Sequence, residues 1–314
     1  MGSLARANVS DNRNVSKNAR LQRADAVAEA AVLGERADIT TGDGFALAGT
    51  FYASPVEPRG TVVIHPATSV PATFYHHFAS FLATEGFATL TYDYRGIGAS
   101  RRGSLVGFEA DKVLWARQDM SAALEWLEDR VPGVPHYAVG HSVGGQLMGL
   151  TKRPQDIDGL VTVNTGFGYW GVMTMPYRFF VALALWGLIP FFTRVLGYLP
   201  SKRTGFGEDL PARAARQWAR WAKKPTYFID DLRDELGFAR FRAPWLALRA
   251  TDDAINVRAN AHRFYAAYPN ASPEERVLEP SEYGKKAIGH LDFFRRKNAD
   301  LWPQVSDWFK GLAD

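Results

Sequence analysis

The sequence predicts an α/β fold, a mostly parallel central sheet flanked by helices with one inserted helical cap. Three observations carry this. Short apolar, β-branched runs alternate with helical segments along most of the 314 residues. One of those runs ends in the turn Gly140-His141-Ser142-Val143-Gly144, which opens into a helix. The alternation breaks once, over residues 166–240, an interval far longer than an ordinary connection.

Taken in order, residues 21–33 are Ala-rich and suit a short helix. Residues 37–41 and 45–52 flank Gly42-Asp43-Gly44 and read as a β-hairpin. Residues 61–65 form a short apolar run of the kind buried on both faces of a sheet. A helix follows from about residue 74 to 85, stopped by Gly86. Residues 87–94 give the next strand, and Arg95-Gly96-Ile97-Gly98-Ala99-Ser100 a Gly-rich loop. A long amphipathic helix is expected over about 108–129, with Val113, Leu114, Met120, Leu124 and Leu127 on one stripe. The strand at 137–141 and its turn come next, then a strand at 159–164.

Residues 166–240 show no clear strand and are rich in Trp, Tyr and Phe, including Trp170 and Trp186. They read as a cap over the strand ends. Strands resume at 245–250 and 275–278 with a helix near 259–268 between them. A last helix runs near 303–312, where Pro303 suits a first turn. The domain plan is thus a flexible basic extension at 1–36, a core from 37–165 and 241–314, and a cap or lid at 166–240.

Hydrophobic residues make up 46% and charged residues 22%, as in a globular protein with a large core. The chain has no Cys, which excludes disulfides, thiolate metal sites and a Cys nucleophile. Its net charge of +4 lies in residues 1–23, which hold five basic residues and one acid. A neutral body with a basic tail does not suit a nucleic-acid binder. The tail lacks the apolar run of a secretory signal, and a cytoplasmic location is expected. Residues 179–192 are strongly apolar, but 14 residues fall short of the ~20 needed to cross a bilayer. No membrane span is expected there; a buried or lid helix is expected ahead of a lid that touches lipid.

The turn at Ser142 carries the chemistry. Gly140, Ser142 and Gly144 fit the Gly-x-Ser-x-Gly pattern, in which a strained turn pushes the serine hydroxyl out at the end of a sheet. A serine hydroxyl is a weak nucleophile until an imidazole takes its proton. Of the seven histidines, His290 alone follows the last strand, where the order serine, acid, histidine requires it. A carboxylate must then orient that imidazole. Asp252 and Asp253 stand just past the strand at 245–250, and either qualifies by position. Two N–H groups must also face the carbonyl oxygen as charge develops on it. Val143 supplies one, and Ala67, in His65-Pro66-Ala67-Thr68, is the candidate for the other. His65 reads as a structural hydrogen-bonder. No cofactor and no metal are called for.

These stretches together resemble the α/β-hydrolase superfamily over about residues 37–312. The marks are Ile64-His65-Pro66-Ala67, Asp93 through Ser100, Gly140 through Gly145, Asp252-Asp253 and Gly289-His290. The chain is most similar to a bacterial branch with serine aminopeptidase-like domains, which shares Tyr94-Arg95-Gly96, Ile288-Gly289-His290 and Phe293-Phe294-Arg295. The resemblance implies that the acid is followed by a small residue and then an aliphatic one, which favours Asp253 before Ala254-Ile255. It also implies His-Gly where this chain has His65-Pro66, and Pro66 has no N–H to offer. The expected function is a serine hydrolase acting on a carboxylic ester of a small apolar or aromatic substrate. An amidase, aminopeptidase, lactonase or acyltransferase on the same triad, or a non-catalytic ligand receptor on this fold, stands as the alternative.

Overall fold

The computed structural model describes residues 32–313. The N-terminal extension and the helix expected at 21–33 lie almost wholly outside the described residues.

Eight strands form one sheet: β1 (Glu35–Thr40), β2 (Ala46–Tyr52), β3 (Gly60–His65), β4 (Phe87–Tyr92), β5 (His136–His141), β6 (Gly159–Val163), β9 (Trp245–Ala250) and β10 (Glu274–Leu278). Their order is β1-β2-β4-β3-β5-β6-β9-β10. The hairpin around Asp43 pairs β1 and β2 antiparallel, and β2 is antiparallel to β4. Every other pair is parallel. β5 therefore lies inside the sheet, between β3 and β6, and Ser142 leaves it at the carboxyl edge.

Two apolar layers sandwich the sheet, as expected when helices cover both faces of buried parallel strands. Alternate residues of one strand enter opposite layers: Val63 joins one, Val62 and Ile64 the other. The first layer is closed by α2 (residues 112–130), through Trp115, Met120, Leu124 and Leu127. The second is closed by α1 (His76–Thr84), through Phe78, Phe81 and Leu82, and by α7 (Pro303–Ala313), through Val305 and Phe309.

Helix α2 starts four residues later than its apolar pattern suggests. Asp111 caps it, accepting from Leu114 N at 2.9 Å, and an apolar Phe108 in the preceding loop had extended the pattern. The Gly-rich loop after β4 is fixed by charge. Arg95 bonds Asp119 of α2 at 2.7 Å and Asp43 of the hairpin turn at 2.6 Å. Gly98 adopts φ +47°, and a Cβ there would sit 2.4 Å from the Asp93 carboxylate.

Residues between β6 and β9 contain α4 (Tyr177–Val195), α5 (Ala212–Ala222) and two strands that the sequence pattern does not show. These are β7 (Tyr198–Leu199) and β8 (Leu210–Pro211), an antiparallel pair only two residues long. Such a pair is too short to carry a periodicity. A short α3 (Val143–Gln146) follows Ser142, and α6 (Arg258–Tyr265) joins β9 to β10.

Candidate active site

Ser142 stands between β5 and α3 with φ +51° and ψ −115°, a conformation that costs energy and persists only where its surroundings enforce it. The two glycines permit it by close approach. A Cβ on Gly140 would lie 2.5 Å from Gly145 Cα, and one on Gly144 would lie 2.1 Å from the His65 carbonyl oxygen.

His290 Nε2 lies 2.9 Å from Ser142 Oγ, and its Nδ1 lies 2.7 Å from Asp253 Oδ2. The Asp253 side chain is fully buried. Its other oxygen accepts from Ile255 N at 2.8 Å and Asn256 N at 3.0 Å. Burial pushes this carboxyl upward, but the His290 ring and the two backbone N–H groups outweigh it and hold the pKa below the usual carboxylate range. The carboxylate stays charged and aimed at the imidazole.

Asp252 takes a part that the sequence did not suggest. Its two oxygens accept from Ile288 N and Gly289 N, both at 2.9 Å, so it grips the backbone of the loop that carries His290. Asn164, at the end of β6 with φ +48°, grips the same loop. Its Nδ2 donates to Gly289 O at 2.8 Å and to His290 O at 3.1 Å, while its Oδ1 accepts from Ala250 N at 2.9 Å. Adjacent strand ends thus tie the acid and histidine loops together. Only the position of Asn164 at a strand end hinted at this in the sequence.

Val143 opens α3, and its N–H has no acceptor among the described residues. Ala67 differs from expectation: its N–H donates to Tyr75 Oη at 2.9 Å rather than standing free. Behind it runs a buried relay. A carbonyl can only accept, so His141 Nε2 donates to His290 O at 2.9 Å. His141 Nδ1 must then accept, and Tyr75 O–H donates to it at 2.7 Å. Burial first, and then the neighbouring His290, hold His141 down to about 3, so it is neutral. The relay couples the loop of Ala67 to the backbone of His290. Tyr75→Phe strands the Ala67 N–H and His141 Nδ1 in a buried site. It is expected to cost about 1–3 kcal/mol of unfolding free energy, read as a lower denaturant midpoint at unchanged slope.

His65 is buried, bonds Tyr92 Oη at 2.8 Å and is held by burial down to about 3, consistent with a structural part. Trp170 and Trp186 meet edge to face, with centroids 5.0 Å apart, and Trp186 is half exposed. Tyr177, at the start of α4, lies within electrostatic reach of Asp253. Burial and then the Asp253 charge raise its hydroxyl to about 12. Among the described residues no cluster of His, Asp and Glu side chains is arranged to hold a metal ion.

A family profile described as Serine aminopeptidase, S33 matches residues 56–279. The chain belongs to this hydrolase family. The family hydrolase shares its α/β-hydrolase fold with solved structures of low identity. One is a soluble variant of monoglyceride lipase from Saccharomyces cerevisiae, with TM-score 0.63 and 14% identity, covering 89% of this chain and 95% of the other. Another is an esterase from Pyrococcus furiosus, with TM-score 0.56 and 17% identity, covering 92% and 94%. A third is a monoacylglycerol lipase from Paleococcus ferrophilus, with TM-score 0.53 and 16% identity, covering 85% and 99%. No curated protein sequence matched the chain.

Proposed function

We propose that this family member is a serine hydrolase that cleaves carboxylic esters of small apolar or aromatic substrates through an acyl-enzyme. The observation that carries the reading is the continuous line Asp253–His290–Ser142, with bonds of 2.7 and 2.9 Å. Ser142 Oγ attacks the carbonyl carbon as His290 Nε2 takes its proton, and Asp253 stabilises the imidazolium. The carbonyl oxygen becomes an oxyanion beside the Val143 N–H. Ala67 joins as second donor by exchanging Tyr75 Oη for that oxyanion. His290 then gives that proton to the leaving alcohol, takes another from a water whose oxygen attacks the acyl carbon, and returns it to Ser142 Oγ as the acyl–Oγ bond breaks and the acid departs. No cofactor takes part.

Residues 166–240 act in this reading as the cap over the core formed by 37–165 and 241–314. What supports this is Tyr177, placed by α4 within electrostatic reach of Asp253. Pockets for such substrates are lined mainly by apolar side chains. Tyr177→Ala is expected to shift the chain-length preference for p-nitrophenyl esters, several-fold in KM, while kcat on the acetate changes little. Equal loss on every ester would mean that Tyr177 belongs to the core.

Labelling with a fluorophosphonate, followed by a panel of esters, amides, lactones and thioesters, tests the reading. Labelling should map to Ser142, with turnover highest on esters. Tight ligand binding without labelling or turnover would make the protein a receptor on a hydrolase fold.

A further inference from the structure

Helix α4 has two apolar faces and only one of them is packed. Val181, Leu185, Ile189 and Thr193, one per turn, face the body of the protein, and the last three are buried. The opposite side should be polar in a helix that meets only water. Instead it carries Phe179, Phe180, Leu183, Trp186, Phe191 and Val195, each more than half exposed. Scattered exposed apolar residues need no explanation, but a contiguous stripe of this size marks a contact surface.

Charge says what that surface meets. Residues 159–207 contain no Asp or Glu, while Arg178, Arg194, Lys202 and Arg203 lie among them. The whole interval 166–240 holds eleven basic and six acidic residues. The neutral body therefore divides into a basic insertion and an acidic remainder. Arg178 and Arg194 are on α4 itself. The Arg178 guanidinium lies 4.8 Å from the Trp170 ring centroid, and Lys223 Nζ lies 4.8 Å from that of Trp186. None of Arg178, Arg194 and Lys223 has a carboxylate partner among the described residues.

We propose that α4 lies flat on an anionic lipid bilayer. The Phe, Leu and Val side chains of its outer stripe enter the acyl region, while Trp170, Trp186 and these cations sit at head-group level. Tryptophans and cations beside an apolar helical stripe are the chemistry of an interfacial helix, in which rings with a polar edge and long basic side chains occupy the boundary. The helix has 19 residues, so by length and composition alone it could cross a membrane. Its inner stripe and its end argue against that here. Arg216 of α5 donates to Thr193 O at 2.6 Å and to Thr193 Oγ1 at 3.0 Å, which ties α4 to the protein. A second copy of the chain is a poor occupant, because a symmetric contact would oppose unpaired cations.

The test needs no turnover and so stands or falls apart from the hydrolase reading. The full chain is sedimented with vesicles of phosphatidylcholine alone, and with vesicles in which one lipid in three is phosphatidylglycerol. Binding is expected to the anionic vesicles and to weaken as salt rises. Arg194→Gln and Lys223→Gln should each weaken it about fivefold. The exposed pair Phe180→Gln and Phe191→Gln should weaken it at least about tenfold with the melting temperature kept. All these variants should hydrolyse a short soluble ester at the wild-type rate. Absence of vesicle binding, or equal binding to neutral vesicles, overturns the proposal. A dimer in ultracentrifugation that the Phe pair abolishes, without vesicle binding, would assign the face to a second copy.

Discussion

Ser142→Ala is expected to lower kcat toward any ester the protein turns over by about 10⁶-fold, with its melting temperature near wild type. The rate should fall that far because, in the proposed mechanism, the hydroxyl forms the bond to substrate, and among the described residues no other side chain bonds His290 Nε2. Stability should hold because Ala carries the same Cβ into the same backbone conformation. The strained φ is set by the approach of Gly140 to Gly145 and of Gly144 to His65, which the substitution leaves alone. Among the described residues, the only side-chain bond of Ser142 lost is the one to His290. A residual rate over water is expected from substrate binding and the Val143 N–H. Ester turnover at the wild-type rate would remove Ser142 from the chemistry.

Asp253→Asn should lower kcat by about 10⁴-fold, and the geometry says why. Oδ1 of Asp253 accepts from two backbone N–H groups, so an Asn must keep its own oxygen there. Its amide nitrogen then faces His290 Nδ1, 2.7 Å away in the wild type, and donates to it. The imidazole proton moves to Nε2, where it blocks acceptance of the serine proton. Asp252→Asn should behave differently. An Asn can accept from only one of Ile288 N and Gly289 N, because its other position is an amide donor. The loss of a bond to a charged acceptor is expected to cost about 1.5–3 kcal/mol of stability, and kcat should fall far less than in Asp253→Asn. Steady-state kinetics and denaturant unfolding on both variants separate the two. The opposite pattern would move the acid to Asp252.

Residues whose work is local were legible. The Gly-x-Ser-x-Gly spacing exists because the turn leaves no room for a Cβ at Gly140 or Gly144, so the constraint is written in the residues themselves. The order of strands and helices was legible for a similar reason: buried strands need unbroken apolar runs. Helix α2 was misjudged at its start because a loop Phe continued its pattern, while a capping Asp, not hydrophobicity, ends a helix.

What the sequence by itself determined was the fold, the turn at Ser142 and the placement of His290 behind the last strand. The family resemblance favoured Asp253, but only the tertiary structure shows which neighbouring aspartate bonds the imidazole. Successive loop residues point different ways, and only the packing of β9 against β6 and the His290 loop sets which way each points. It alone showed that Asp252, Asn164 and His141 hold that loop, since each bond spans 36 residues or more. It alone revealed that the Ala67 N–H is engaged by Tyr75. And it alone exposed the outer stripe of α4. An apolar run reads the same whether core or solvent faces it, and burial is a property of the neighbours.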